Sequence, residues 1–122
     1  MDNQTTLNTL LSAWNAERAP ERERIVSRTL ADDFNYSDPH QPDILVGKRA
    51  FLDFLNLFRN RVKGVEMKLV GEPDIHHRHA RLNFEMKRGR DVYAKGTYFA
   101  DFTENGRIWR LVSFLDQDRK PN

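Results

Sequence analysis

The sequence predicts an α+β domain in which three N-terminal helices pack on one face of a curved antiparallel sheet and enclose a pocket. Two patterns point there. Apolar residues recur at helical spacing through the first half of the chain and at a period of two after Gly64, and no helix returns between the later strands. The chain, at 122 residues, is also long enough to hold one core without disulfide or metal staples.

Each element has its own signal. Leu7, Leu10, Leu11 and Trp14 make one stripe of a first helix. A second starts at Pro20, a residue suited to a first helical turn, with Glu21 and Glu23 near the positive end of the helix dipole. Ile25, Val26 and Leu30 form its inner face. Asp32-Asp33 turns the chain into an alternating stretch, Phe34 to Asp38, which Pro39 halts before a loop over 39–46. Lys48 to Val62 is the strongest helix: Phe51, Phe54, Leu55, Phe58 and Val62 share a stripe that Leu52 and Leu57 widen, and Gly64 ends it.

Val65, Met67 and Leu69 open the sheet in a strand ending near Gly71 and Pro73. Ala80, Leu82, Phe84 and Met86 alternate in the next. Arg88-Gly89-Arg90-Asp91 reads as a hairpin turn, after which Val92, Ala94, Gly96, Tyr98, Ala100 and Phe102 share one face. Asn105-Gly106 marks the last hairpin, into a strand from Ile108 to Leu115. Tyr93, Phe99, Trp109 and Leu111 take the opposite face of these two strands, where a solvated surface would be polar. The expectation is a homodimer packed through that side of the sheet.

Composition narrows the function classes. The absence of cysteine removes disulfides, thiolate zinc sites and cysteine nucleophiles together, and it suits a reducing, cytoplasmic setting. The start, Met1 to Thr6, has no positive segment and no long apolar run, so neither a signal peptide nor a membrane partner is expected. The pI near 9.1 hints at nucleic acid, yet 20 basic residues face 18 acidic ones. Arg59/Arg61/Lys63 and Lys87/Arg88/Arg90 lie at a helix end and a turn, not along a stripe, so no nucleic-acid partner is expected. There is no Gly-rich phosphate loop and no nucleophile–base–orienter arrangement.

The run Ala31-Asp32-Asp33-Phe34-Asn35-Tyr36-Ser37-Asp38-Pro39, followed by a loop to Gly47 and an apolar helix, resembles the opening of nuclear-transport-factor-2-like proteins. It looks most like their SnoaL-like and steroid-isomerase-like branches. Gly96-x-Tyr98-Phe99-x-Asp101-Phe102, Asn105-Gly106-Arg107-Ile108 and Phe114-Leu115-Asp116 resemble the ending, so the similarity spans roughly Leu7 to Asp116. The resemblance implies a cone-shaped fold and cofactor-free chemistry, but the fold hosts many activities and does not choose among them.

Asp38 stands where steroid isomerases carry the general base that moves a proton beside a carbonyl. Trp14 falls where those enzymes hold a hydrogen-bonding tyrosine; an indole donates without phenol acidity. Tyr98 falls near their second oxyanion donor. Members resembling polyketide cyclases use a later Asp, for which Asp101 and Asp116 are the candidates, and Asp101 has the parity that faces away from the helices.

The residues therefore suggest Asp38 and Tyr98 as catalytic groups in a pocket lined by Trp14, Tyr36, Phe54, Phe58, Phe84 and Phe114. Asp38 shares a face with Phe34 and Tyr36, although Asp before proline is also an ordinary turn former. Tyr36 and Tyr98 read equally as amphipathic core residues. His40, His76 and Arg78 are candidates for the pocket rim, and a loop histidine is commonly just solvated. His76, His77 and His79 cluster, and on a strand His77 and His79 share a side, but no third ligand or supporting carboxylate sits at a sensible spacing, so no metal and no cofactor is expected. The ligand expected is a small apolar compound. Three functions remain open: acid/base proton transfer of isomerase or cyclase type on a carbonyl compound, non-catalytic binding of a hydrophobe, or association through the sheet.

Overall fold

The computed structural model of the chain describes residues 2–116. Helix α1 (Asn3–Leu11) is capped by Asp2, whose carboxylate accepts the Thr5 N–H at 2.7 Å, and it continues into a 3-10 turn, Ser12–Trp14. Helix α2 (Ala19–Thr29) carries Pro20 in its first turn. It stops one residue before Leu30, which instead opens strand β1 (Leu30–Ser37) and enters the core from the sheet. A short strand β2 (Leu45–Val46) leads to helix α3 (Lys48–Arg61). All three helices thus lie in the N-terminal half, with β1 and β2 between α2 and α3. Leu57 of α3 is exposed, so the apolar stripe is narrower than its composition suggests.

Four strands follow: β3 (Glu66–His76), β4 (His79–Arg88), β5 (Asp91–Phe102) and β6 (Ile108–Leu115). The six-stranded sheet has the order β2-β1-β6-β5-β4-β3, antiparallel except that β1 runs parallel to β6. That parallel pair places Tyr36 beside Leu111 and brings the loop after β1 toward Ser113.

Irregularities in the ladder curve the sheet and decide which side chains face the helices. Gly71, at φ +75°, sits where the β3–β4 register slips, so β3 continues past Gly71 and Pro73 to His76. Tyr93 is an extra residue between the pairs Met86–Ala94 and Lys87–Val92; Val92 consequently leaves the inner face and is exposed beside it. Trp109 is extra between Asp101–Arg110 and Phe102–Ile108.

The last irregularity reverses the expected parity of β6. Ile108, Leu111 and Ser113 point inward, while Phe114 is 56% exposed on the outer face. Leu111, expected on the dimer face, is a core residue, and Phe114, expected in the pocket, lies outside. Strict alternation from Ile108 could not reveal this, because a one-residue insertion moves every later side chain to the other face.

Between helices and sheet lies one core that includes Leu7, Leu10, Trp14, Phe34, Tyr36, Phe51, Leu55, Phe84 and Tyr98. Its centre is aromatic. Phe51 meets Trp14, Phe34 and Tyr36 edge to face at 5.0–5.6 Å, and Phe84 stacks on Tyr98 at 4.5 Å. No helix among the described residues is long and apolar enough to cross a membrane.

Candidate active site

Strand β1 delivers Tyr36 to the core and Asp38 to its edge. Alternation puts both on the inward face, and Pro39 then ends the strand. Tyr36, fully buried, donates its hydroxyl to Asp38 Oδ2 at 2.6 Å. The other carboxylate oxygen accepts the backbone N–H of His40 at 2.8 Å, and Gln41 N–H closes the turn on the Asp38 carbonyl. Asp38 is therefore a turn former as well as a member of the inward face. It is half-buried, and its carboxylate is held at both ends.

Behind Tyr36 lies Tyr98, buried on β5, whose hydroxyl hydrogen-bonds with those of Tyr36 and Ser113. A run of hydroxyls thus leads from Ser113 through Tyr98 and Tyr36 to a carboxylate. Burial pushes both phenols well above the ordinary tyrosine range, and the neighbouring Asp38 charge raises them further. Both stay protonated at neutral pH. They can donate hydrogen bonds.

Trp14 closes this group from the helical side. Its ring lies 5.7 Å from Tyr98 and 5.6 Å from Phe51. Its position is pinned by its neighbours: Arg59 donates to the Trp14 and Val65 carbonyls at 2.7 and 3.0 Å, and Asn15 exchanges two hydrogen bonds with the Met67 backbone. Its indole Nε1 is buried without a partner, the one such side-chain polar atom among the described residues. Buried donors ordinarily find acceptors, so this N–H is spare capacity aimed into an aromatic interior.

No protein-family model matches the chain, and no curated protein matches it. Solved structures do. A candidate isomerase of the SnoaL-like family from Agrobacterium tumefaciens str. C58 is 28% identical, with a TM-score of 0.86 over 96% of this chain and 100% of its own. An NTF2-like protein of unknown function from Exiguobacterium sp. 255-15 is 16% identical, with a TM-score of 0.75 over 93% and 99%. A candidate ketosteroid isomerase from Kribbella flavida DSM 17836 is 16% identical, with a TM-score of 0.74 over 98% and 82%. The chain has the NTF2-like fold and is similar to SnoaL-like proteins.

Of the residues singled out in this SnoaL-like chain, the fold gathers Asp38, Tyr36, Tyr98, Trp14, Phe54 and Phe84 around one interior. Phe54 lies 5.2 Å from Tyr36, and Phe58, half-buried, follows it along α3. His40 joins through its backbone while its side chain is exposed. His76 and Arg78 do not join. The β3–β4 hairpin turns through His77 and Arg78, leaving His76 and Arg78 exposed at the far side of the sheet from β1. An inward parity carried across a two-residue turn does not hold.

Two participants escaped sequence reasoning. Ser113 was hidden by the irregularity at Trp109. Phe51, which touches Trp14, Phe34, Tyr36 and Phe54, was legible only as one member of a helical stripe.

Proposed function

We propose that this SnoaL-like protein is a cofactor-free acid/base catalyst of isomerase or cyclase type, acting on a small, mostly apolar carbonyl compound. The observation that carries the reading is the hydrogen-bonded run Tyr98–Tyr36–Asp38 ending in a carboxylate at the edge of an aromatic core. Asp38 takes a proton from the carbon beside the carbonyl. Tyr36 and Tyr98 hold that carboxylate in place; their hydroxyls are already committed along the run, so they act as positioning residues. The spare Trp14 N–H donates a hydrogen bond to the carbonyl oxygen as charge develops on it.

The aromatic rings fill the interior closely, so substrate enters by displacing side chains rather than by occupying a ready void. Phe54 and Phe58, the half-buried rings of α3, form the side that gives way. The isomerase assignments of the similar structures support this class of chemistry; they do not name its substrate.

The test needs no known substrate. Cyclic ketones of increasing size are incubated with the protein in deuterated buffer, and exchange at the carbon beside the carbonyl is followed by proton NMR. The native chain should accelerate exchange of at least one ketone, and Asp38→Asn should slow it by about 10²- to 10⁴-fold. Exchange no faster than in buffer, or equal in Asp38→Asn, removes the catalytic reading. Quenching of tryptophan fluorescence by the same ketones, without exchange, would favour a non-catalytic binder.

A further inference from the structure

A second group of titratable side chains sits on the outer face of the sheet, away from the Asp38 run. Asp101 of β5 is 9% exposed although it faces away from the helices. Its Oδ1 meets His79 Nδ1 at 2.5 Å, and its Oδ2 accepts Arg110 Nε at 2.7 Å, with Arg110 Nη2 at 2.6 Å. The register explains the meeting: His79, Asp101 and Arg110 are directly paired neighbours on β4, β5 and β6. The extra residue Trp109 then lays its ring under the Arg110 guanidinium, 4.8 Å away.

These contacts fix what the groups present outward. Asp101 commits Nε and Nη2 of Arg110 and leaves Nη1 uncommitted among the described residues. It also commits Nδ1 of His79, so Nε2 is the nitrogen left for another partner. Beside them lies a groove of about 390 Å³ lined by His77, Arg78, His79, Asp101, Trp109 and Arg110. Its charged groups are two guanidiniums against one carboxylate, and its two imidazoles add charge when protonated. The lining comes from a hairpin turn and two further strands, so its donors approach from several directions rather than in one plane.

We propose that this groove binds a phosphate monoester. A carboxylate is satisfied by one planar fork, whereas a tetrahedral dianion uses donors arranged around it. His79 suits either form of a phosphate that titrates near neutrality. Its neutral Nε2 accepts from the P–OH of the monoanion, and its protonated form donates to the dianion. Asp101 positions both His79 and Arg110, and the Trp109 ring borders the site on the side away from the sheet centre.

The test is titration of the full chain with phenyl phosphate and with inorganic phosphate, against sodium chloride of matched ionic strength, reading the four histidine ring signals by NMR. His79 and His77 should shift saturably with both phosphates, while His40, which lies outside the groove, stays still. Arg110→Gln should weaken binding about tenfold or more, the loss expected for a charge-assisted hydrogen bond. If Arg110→Gln perturbs the fold by releasing Asp101, Arg78→Gln decides, since that side chain is exposed; it too should weaken binding. Shifts that never saturate, that His40 shares, or that both variants retain at native affinity would overturn the proposal. None of these readouts depends on proton transfer at Asp38.

Discussion

At the scale of single residues, the two buried phenols give the chain a pH signature independent of any substrate. In the unfolded chain a tyrosine loses its proton near 10.0, whereas burial raises Tyr36 and Tyr98 well above that value in the folded state. The folded form then holds protons that the unfolded form has released. Stability is unaffected by these groups below pH 10 and falls as pH rises beyond it, by about 1.4 kcal/mol per pH unit for each phenol. Urea unfolding midpoints across the alkaline range should show the decline, and Tyr98→Phe should roughly halve its slope. An equal slope in that variant would mean the Tyr98 hydroxyl is open to water. Alternation alone placed Tyr36 and Asp38 on one face, because nothing interrupts the strand between them. The spare indole N–H of Trp14 was not legible, since a missing partner is a property of the whole packed interior. Arg22 was missed for the same reason: it is 5% exposed, and it donates to Asn56 and to the Ala16 carbonyl, tying α2 to α3 and to the loop before it.

At the scale of elements, periodicity served well wherever the backbone was regular. The spans of α3 and β6 match their sequence signals closely, and both Gly-containing hairpins fall where Gly89 and Gly106 take positive φ. It failed at the inserted residues, Tyr93 and Trp109, because each exchanges inner and outer faces on one side of it, at Val92 before Tyr93 and along β6 after Trp109, without a local signature. The parallel pairing of β1 with β6 was equally hidden, since it joins residues more than seventy positions apart. One glycine shows what close pairing demands. A Cβ on Gly96 would lie 2.0 Å from the Phe114 carbonyl oxygen and 3.0 Å from Leu115 Cα, both backbone atoms that cannot swing aside. Gly96→Ala should therefore destabilise the fold by about 1–3 kcal/mol or more through forced separation of β5 and β6. Chemical denaturation measures this. A variant as stable as the native chain would show that the strands part there at little cost.

At the scale of the whole molecule, the outer face of the sheet is only half covered by charge. Phe99 and Phe114 stand on it 42% and 56% exposed, their rings packed edge to face at 5.8 Å, with Val112 of β6 directly across from Phe99. Around them the charges come in opposed pairs. Arg81 meets Asp74 at 3.0 Å, Arg110 meets Asp101, and Glu85 lies across from Lys95. A surface with both signs side by side around an apolar centre complements itself after a two-fold rotation, which is what an isologous dimer requires. We propose that the homodimer expected from the sequence packs through Phe99 and Phe114, since Leu111 is a core residue. Sedimentation equilibrium should give twice the 14.4 kDa chain mass for the native protein. Phe114→Glu should return it to a folded monomer, because two such carboxylates brought together at the centre lose their water without gaining a partner. Trp109→Glu should weaken the dimer less, since that ring lies at the edge of the patch beneath Arg110. A native protein that sediments as a monomer would leave the aromatic pair without a second copy of the chain to cover it.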